Sequence, residues 1–325
     1  MTAAVDIGMS VFMDELAQHP PGERRRLLAD AADAGIDHLH VGDHVSFRGG
    51  FGFDGLINTA ALLNLQDALP VLIGIYQLPL RHPTVVARQL AAICESHPGR
   101  LRFGVGVGGD DRDEMRACGV DPRTRGRRMD ESLEILRGLL TGRPVTYAGE
   151  IFDISEVAIE PAVTDLPILV GGRSDAALRR AGRRGDGWIG IWISAARFAE
   201  SVARVTQEAQ AAGRRIDRWE HNVTIWCGFG DDRARAGRRV SDAMRSIYHL
   251  DPDVFARWCP AGPPDAIAEF IVPYLEAGAR SVSLIGRGES PEHVVQCVAE
   301  VRRLLAGEAG VSGAADARTA ATGAR

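Results

Sequence analysis

The sequence predicts an α/β protein folded as a (β/α)8 TIM barrel, with a small insertion between the fourth and fifth barrel strands. Three observations carry that prediction. Short apolar runs alternate with helical segments eight times along the chain, the pattern of a parallel sheet built from βαβ units. A doubly wound sheet would hold six or seven such runs, whereas eight close a barrel. The stretch Leu101–Gly119 contains Gly104-x-Gly106-x-x-Gly109, which spells a dinucleotide fingerprint. No strand ending in an acidic residue follows about 20 residues later, however, because Asp130 and Glu131 lie inside a helical segment.

In chain order, Val5–Met9 is a short apolar strand. A helix opened by Pro20-Pro21 follows, with Leu27, Leu28, Ala31 and Ala32 on one face, and stops at Gly35. Ile36–Val41 is the second strand and delivers Gly42-Asp43-His44. Asp54–Ala68 is helical, Val71–Tyr76 is the third strand, and Thr84 to about Ser96 is its helix. After the Pro98-Gly99 turn comes the glycine-rich fourth strand from Leu101, followed by the long amphipathic helix Arg123–Leu140. Residues 142–166 interrupt the rhythm with what reads as a small hairpin. Pro167–Val170 is a fully apolar strand running into Gly171-Gly172-Arg173-Ser174 and the helix Asp175–Arg184. Trp188–Ile193, Asn222–Phe229 and Ser281–Ile285 are the last three strands. Their helices are Ala195–Ala212, a segment from Asp232 with a less regular stretch through Cys259, then Pro264–Ala277 and Pro291–Leu305. Residues 1–306 are therefore expected to form one domain, and the Ala/Gly/Thr/Arg-rich segment 307–325 a disordered tail.

Composition narrows the function. The chain has 325 residues, 45% hydrophobic and 25% charged, with a formal net charge of −5. That balance offers no basic stripe, which argues against nucleic acid as a partner. No apolar run approaches the roughly 18 residues of a membrane span, and the N-terminus lacks the basic start of a signal peptide. Cys94, Cys118, Cys227, Cys259 and Cys297 are scattered, without a CxxC or a Cys/His cluster. They are expected to be reduced thiols of a cytoplasmic protein, not disulfides or metal ligands. Every basic residue is Arg; there is no Lys.

A barrel carries its chemistry at the C-terminal strand ends. Strand two presents Asp43-His44, which could equally be a turn residue and a capping histidine. Strand three presents Gly74-Ile75-Tyr76-Gln77 ahead of Arg81-His82-Pro83. Strand four presents Gly106, Val107, Gly108 and Gly109 and then Asp110-Asp111, acids that suit any helix start. Gly171-Gly172-Arg173-Ser174 converges backbone N–H groups, a hydroxyl and a guanidinium at a helix N-terminus, a ready anion site. An ordinary glycine turn capped by Ser174 would read the same way. Ser46–Phe53 and roughly Arg245–Gly262 are expected to act as lid loops. Phe47, Phe51, Phe53, Trp192, Trp226 and Trp258 are candidates for an apolar lining.

From Val5 to about Leu305 the chain resembles the bacterial luciferase-like family of flavin- and deazaflavin-dependent oxidoreductases. The segments that carry the match are LPLRHPTVVARQLAAICESHPGRLRFGVGVGG, RRMDESLEILRGLLTG, LPILVGGRSDAALRRAGRRGDGWIG and GPPDAIAEFIVPYLEAGARSVSL. The resemblance implies coenzyme F420 as cofactor, with FMN as the alternative, and a small-molecule substrate. It places a non-proline cis peptide at Gly74-Ile75 and the cofactor phosphate on Gly171, Gly172, Arg173 and Ser174. It puts Asp43 and His44 beside the ring, making His44 the acid/base candidate. Gly106, Val107 and Gly108 become a flat bed for the ring. Sugar-phosphate dehydrogenases of the family carry a glutamate directly after the glycine strand and lysines for the phosphate. Here Gly109 and Asp110 stand at the first place, with Asp110 as the candidate replacement acid. The activity implied is hydride transfer between the deazaflavin C5 and a small organic substrate. An FMN-dependent monooxygenase and a non-catalytic flavin-binding barrel are the rivals. Relatives pair as homodimers, for which the helices Leu56–Ala68 and Val85–Cys94 offer faces.

Overall fold

The computed structural model describes residues 5–109, 111–249 and 251–321. Eight parallel strands close into a barrel: β1 (Asp6–Ser10), β2 (His38–Val41), β3 (Val71–Gln77), β4 (Leu101–Gly106), β5 (Ile168–Gly171), β6 (Gly187–Ile191), β7 (Asn222–Phe229) and β8 (Ser281–Arg287). Each pairs with its successor, and β8 returns to β1 through Asp6 opposite Ser281. The antiparallel hairpin Val145–Ala148 and Asp153–Val157 sits between β4 and β5, as expected for the insertion. A two-residue strand, Ala261–Gly262, adds to the end of β7 within the stretch read as irregular.

The loops leaving the strand ends close on good helix caps. Asp54, Asp111, Ser174, Ser194 and Asp232 each accept a backbone N–H of the helix that follows. Each such cap is worth about 1 kcal/mol, so the local sequence fixes where the site-bearing loops stop. Two strands are shorter than their apolar runs. Ile36 is still tied to the preceding helix by its N–H to the Ala31 carbonyl. At the other, Trp192 turns left-handed with φ 49°, ending β6 at Ile191. The last helix, Pro291–Ala321, runs past Gly307 into the segment read as tail. An alanine-rich composition too poor to build a core still favours helix.

The barrel interior is layered. At the end where the strands begin it is polar: His38 bridges Asp6 Oδ1 (2.6 Å) and Ser283 Oγ (2.9 Å), and Asn222 Nδ2 donates to Ser281 and Ser283. Gly8 makes room for the buried imidazole, because a Cβ there would lie 2.1 Å from His38 Nε2. Above it Leu72, Leu169 and Ile189 form an apolar plug with Ile75 on top. The register of β3 against β4 shifts between Ile73 and Tyr76, lifting Ile75 out of the ladder toward the C-terminal face.

Candidate active site

A cavity of about 350 Å³ opens over that plug, lined from all sides of the barrel mouth. Its floor is Ile75. The Gly74–Ile75 peptide is cis, at the position the resemblance implies. The buried His40 ring lies below it, with Nε2 donating to the Gly74 carbonyl (3.2 Å) and Nδ1 accepting from Ser10 Oγ (2.7 Å). Burial, followed by the charge of neighbouring His38, holds His40 down at about 3, so it is a neutral prop. The glycines around the floor make space for Ile75 itself. A Cβ on Gly106 would meet its Cδ1 at 2.7 Å, and one on Gly171 its Cγ2 at 2.5 Å. The bed is thus one aliphatic side chain let in between two glycine strands.

His44 stands at the edge of this floor, its side chain 25% exposed, with its ring 4.2 Å from that of Phe47. Its Nδ1 lies 3.1 Å from Oε2 of Glu114, whose side chain is 1% exposed. The same carboxylate accepts the N–H groups of Val45 (2.6 Å) and Ser46 (3.0 Å) and one from Gln77 Nε2 (3.1 Å). Burial pushes the Glu114 carboxyl up, but the hydrogen bonds from His44, Gln77 and the backbone outweigh it and hold it at about 2. The ionised carboxylate fixes the tautomer. Gln77 Nε2 also lies 3.2 Å from His44 Nδ1, but its two hydrogens meet the Asp43 carbonyl and Glu114, both at 3.1 Å, so His44 Nδ1 carries a proton and donates it to the carboxylate. Nε2 is then the ring atom offered to a ligand.

Asp43 has a different job. It is 3% exposed, and its oxygens accept from the Gly55 and Gln77 N–H groups and from both Nη atoms of Arg81 (2.6 and 2.8 Å). Burial raises its pKa while Arg81 pulls the other way. The carboxylate ties β2, β3 and the helix Gly55–Leu65 together beside His44. Asp110 lies outside the described residues. Its neighbour Asp111 caps the helix Arg112–Ala117 and accepts the Arg48 N–H, so Asp111 and Glu114 together strap the 46–53 loop across the cavity. Phe47 and Phe51 bridge within that loop, and Phe47 meets Tyr248 edge-on at 5.9 Å.

Beyond Gly171 and Gly172 the cavity gives onto a second, open one of about 640 Å³. Arg173 and Ser174 line it. So do Ser194, Arg197, Arg257 and Trp258, which bring in the N-terminus of a second helix, Ala195–Ala211. Arg173 Nη1 donates to the Trp192 carbonyl, fixing the wall between the two spaces. Two helix N-termini and three guanidinium groups give this outer space a positive field. Glu114, Arg197 and Arg257 escaped the sequence reading. Each sits inside an ordinary helical or irregular stretch, and its partners come from distant segments. Among the described residues no His/Cys/Asp/Glu cluster is placed to hold a metal, and no helix is long and apolar enough to cross a membrane.

Barrel and cleft define a (β/α)8 fold with an apolar floor, an acid-backed histidine and an adjoining arginine-lined space, the barrel architecture of the luciferase-like oxidoreductases. Residues 7–253 match the model of the luciferase-like monooxygenases, and the chain belongs to that family. It is 38% identical over 201 residues to an uncharacterised protein of Mycobacterium tuberculosis, covering 60% of this chain and 69% of that one. A protein named F420-dependent glucose-6-phosphate dehydrogenase from Nakamurella multipartita is 25% identical over 311 residues, covering 87% and 92%. The solved structure of an F420-dependent secondary alcohol dehydrogenase, in complex with an F420-acetone adduct, superposes with a TM-score of 0.78. It is 18% identical and covers 93% of this chain and 99% of that one, a likeness of fold.

Proposed function

We propose that this chain is a coenzyme F420-dependent oxidoreductase that moves hydride between the deazaflavin C5 and a small organic substrate. The observation that carries the reading is the His44–Glu114 pair at the edge of the Ile75 floor. When bound, the deazaflavin supplies two-electron hydride exchange at C5. The cleft fits such a group: the floor is flat and apolar, and Gln77 Oε1 is a buried acceptor without a protein partner, suited to a ring N–H. Ile75, Gly106, Val107 and Gly108 would carry the ring, and Gly171 to Ser174 with Arg173 the phosphate. The outer cavity, with Arg197 and Arg257, has room for anionic groups beyond one phosphate, which favours the longer tail of a deazaflavin over FMN.

His44 Nε2 takes the hydroxyl proton of a substrate being oxidised and returns it to the carbonyl oxygen in the reverse direction. Glu114 stabilises the imidazolium so formed through the Nδ1–H bond. Asp43, locked to Arg81, positions the strand ends. The relative from Nakamurella supports the deazaflavin; the family's name favours FMN and oxygen chemistry. One titration separates them: the protein should quench deazaflavin fluorescence saturably and ignore FMN. The reverse preference removes the F420 reading. His44→Ala should abolish turnover and spare cofactor affinity. Undiminished turnover would remove His44 as the proton carrier, and cofactor binding by a wild-type protein that turns over no substrate would leave a binding barrel. Exposed Ile57 and Val85, on the two helices expected to pair, support a homodimer, to be checked by light scattering.

A further inference from the structure

The cleft has a second wall, facing the Ile75 floor, that the proposed chemistry does not use. It is built by Phe12 after β1, Trp192 after β6, Trp226 on β7, Ile285 on β8, and Ile247 and Tyr248 at the end of the helix Arg233–Tyr248. These residues form one apolar cluster, in which Trp226 is 1% and Ile285 5% exposed. The rings hold each other in place: Trp192 meets Tyr248 edge-on at 5.2 Å, and Trp226 meets it at 5.9 Å. Phe47 of the 46–53 loop touches the same tyrosine, so the wall continues into the loop across the mouth.

Charge is kept off this wall. Arg287 packs behind it, 4.2 Å from the Phe12 ring centroid and 5.4 Å from that of Trp226, paired with Glu15. Arg81 is bound to Asp43 and Asp54. Arg48 is at the rim, over Phe47. The charges that line this side of the cavity are Asp14, whose Oδ1 is buried without a hydrogen-bond partner, and Arg48 at the rim. A phosphate or carboxylate seated against the rings of this wall would have Asp14 beside it and the guanidinium groups of Arg81 and Arg287 already paired. That leaves Arg48 at the rim as its counter-charge, so its desolvation is poorly offset in the apolar part of the cleft.

We propose that the substrate is an uncharged, compact, largely apolar molecule, of the class of neutral aromatic or alicyclic alcohols and ketones, seated against the Trp226–Tyr248 wall. The proposal rests on the cofactor reading above, since it takes the Ile75 floor to be occupied by the ring. The cavity of about 350 Å³ holds the Ile75 floor as well as this wall, so the room left beside the ring favours a compact body over a long chain.

The test uses the full chain saturated with coenzyme F420, loading being read from deazaflavin fluorescence. A neutral bicyclic ketone, a carboxylated analogue of the same ring system and glucose 6-phosphate are then titrated by calorimetry. The ketone is expected to bind at least about tenfold more tightly than either anion. Tyr248→Ala should weaken the ketone about tenfold. Ile247→Arg, which brings a cation to the half-buried wall, should reverse the order of ketone and carboxylated analogue. Tighter binding of glucose 6-phosphate, equal binding of all three probes, or no ketone binding by loaded protein overturns the proposal and leaves the cofactor reading standing. Absence of deazaflavin quenching overturns the cofactor reading, and the proposal with it.

Discussion

Replacing Glu114 by Gln tests what the buried carboxylate does for His44. The variant keeps size and shape, and its single carbonyl can still accept the Val45 and Ser46 N–H groups that Oε1 accepts now, at 2.6 and 3.0 Å. The amide nitrogen then replaces Oε2, 3.1 Å from His44 Nδ1 and 3.1 Å from Gln77 Nε2, so the Gln77 amide must turn over to present its Oε1. An N–H donor facing an N–H donor is untenable, so the imidazole must give up the Nδ1 proton and become the Nε2–H tautomer. The bond lost is charge-assisted, worth about 1.5–3 kcal/mol, or roughly a tenfold to hundredfold change in tautomer ratio. Ring 15N chemical shifts read this without any substrate, with the His44 resonance assigned by its loss in His44→Ala. Wild type should show Nδ1–H and the variant Nε2–H. Once a substrate is in hand, the rate should fall by a similar factor in Glu114→Gln. Added to His44→Ala, the same substitution should cost nothing further, since a residue acting through another has no effect once that other is gone. An Nε2–H tautomer in the wild type, or additive losses in the double variant, would refute the coupling.

Two further outcomes follow from the packing and the buried acids. Gly171→Ala puts a methyl 2.5 Å from Ile75 Cγ2 and must push that side chain into the cavity. Cofactor affinity, measured by fluorescence titration, should drop at least about tenfold and recover in Gly171→Ala/Ile75→Ala; no drop would mean the ring does not rest on Ile75. Asp6, like Glu114, is held at about 2: burial pushes it up, and His38 and Arg102 more than reverse that. A carboxyl depressed in the folded state contributes its full stabilisation above the ordinary carboxylate range and loses it as pH falls toward 2. Urea midpoints should therefore fall between about pH 4 and pH 2, with Asp6 responsible for about 2 kcal/mol of the loss. Asp6→Asn should flatten that slope, and an unchanged slope would show that another group carries the acid sensitivity.

The barrel could be read from the chain because its evidence is periodic and local. Eight apolar runs, Pro83 opening a helix, Ser174 capping one and Gly142 closing one are each decided within a few residues. The glycine turn capped by Ser174 was legible for the same reason, since Gly171 to Ser174 are contiguous. What stayed hidden depends on contacts across the mouth. Glu114 looks like one more acid in the first turn of a six-residue helix, and its partner His44 lies 70 residues away. Arg197 and Arg257 are arginines in a chain full of them until two loops bring them beside Arg173. The polar layer around His38 contradicts no periodicity; it simply uses the inward positions of β1, β2, β7 and β8 for side chains that satisfy one another.

The two carboxylates next to His44 show why adjacency in sequence is a poor guide to chemical partnership. Asp43 is covalently next to the histidine, yet its lone pairs are committed to Gly55, Gln77 and Arg81, and the guanidinium neutralises it. A neutralised acid has little field left with which to stabilise a developing imidazolium. Glu114 has no guanidinium on it; its donors are two backbone N–H groups, one amide and the imidazole. These hold the carboxylate ionised without cancelling its charge, so the histidine is the group that can answer it with a full positive charge. Burial strengthens that interaction, because little water reaches a side chain 1% exposed to screen it. Five residues past Gly109, Glu114 thus lies behind the histidine, where it can steer the imidazole proton.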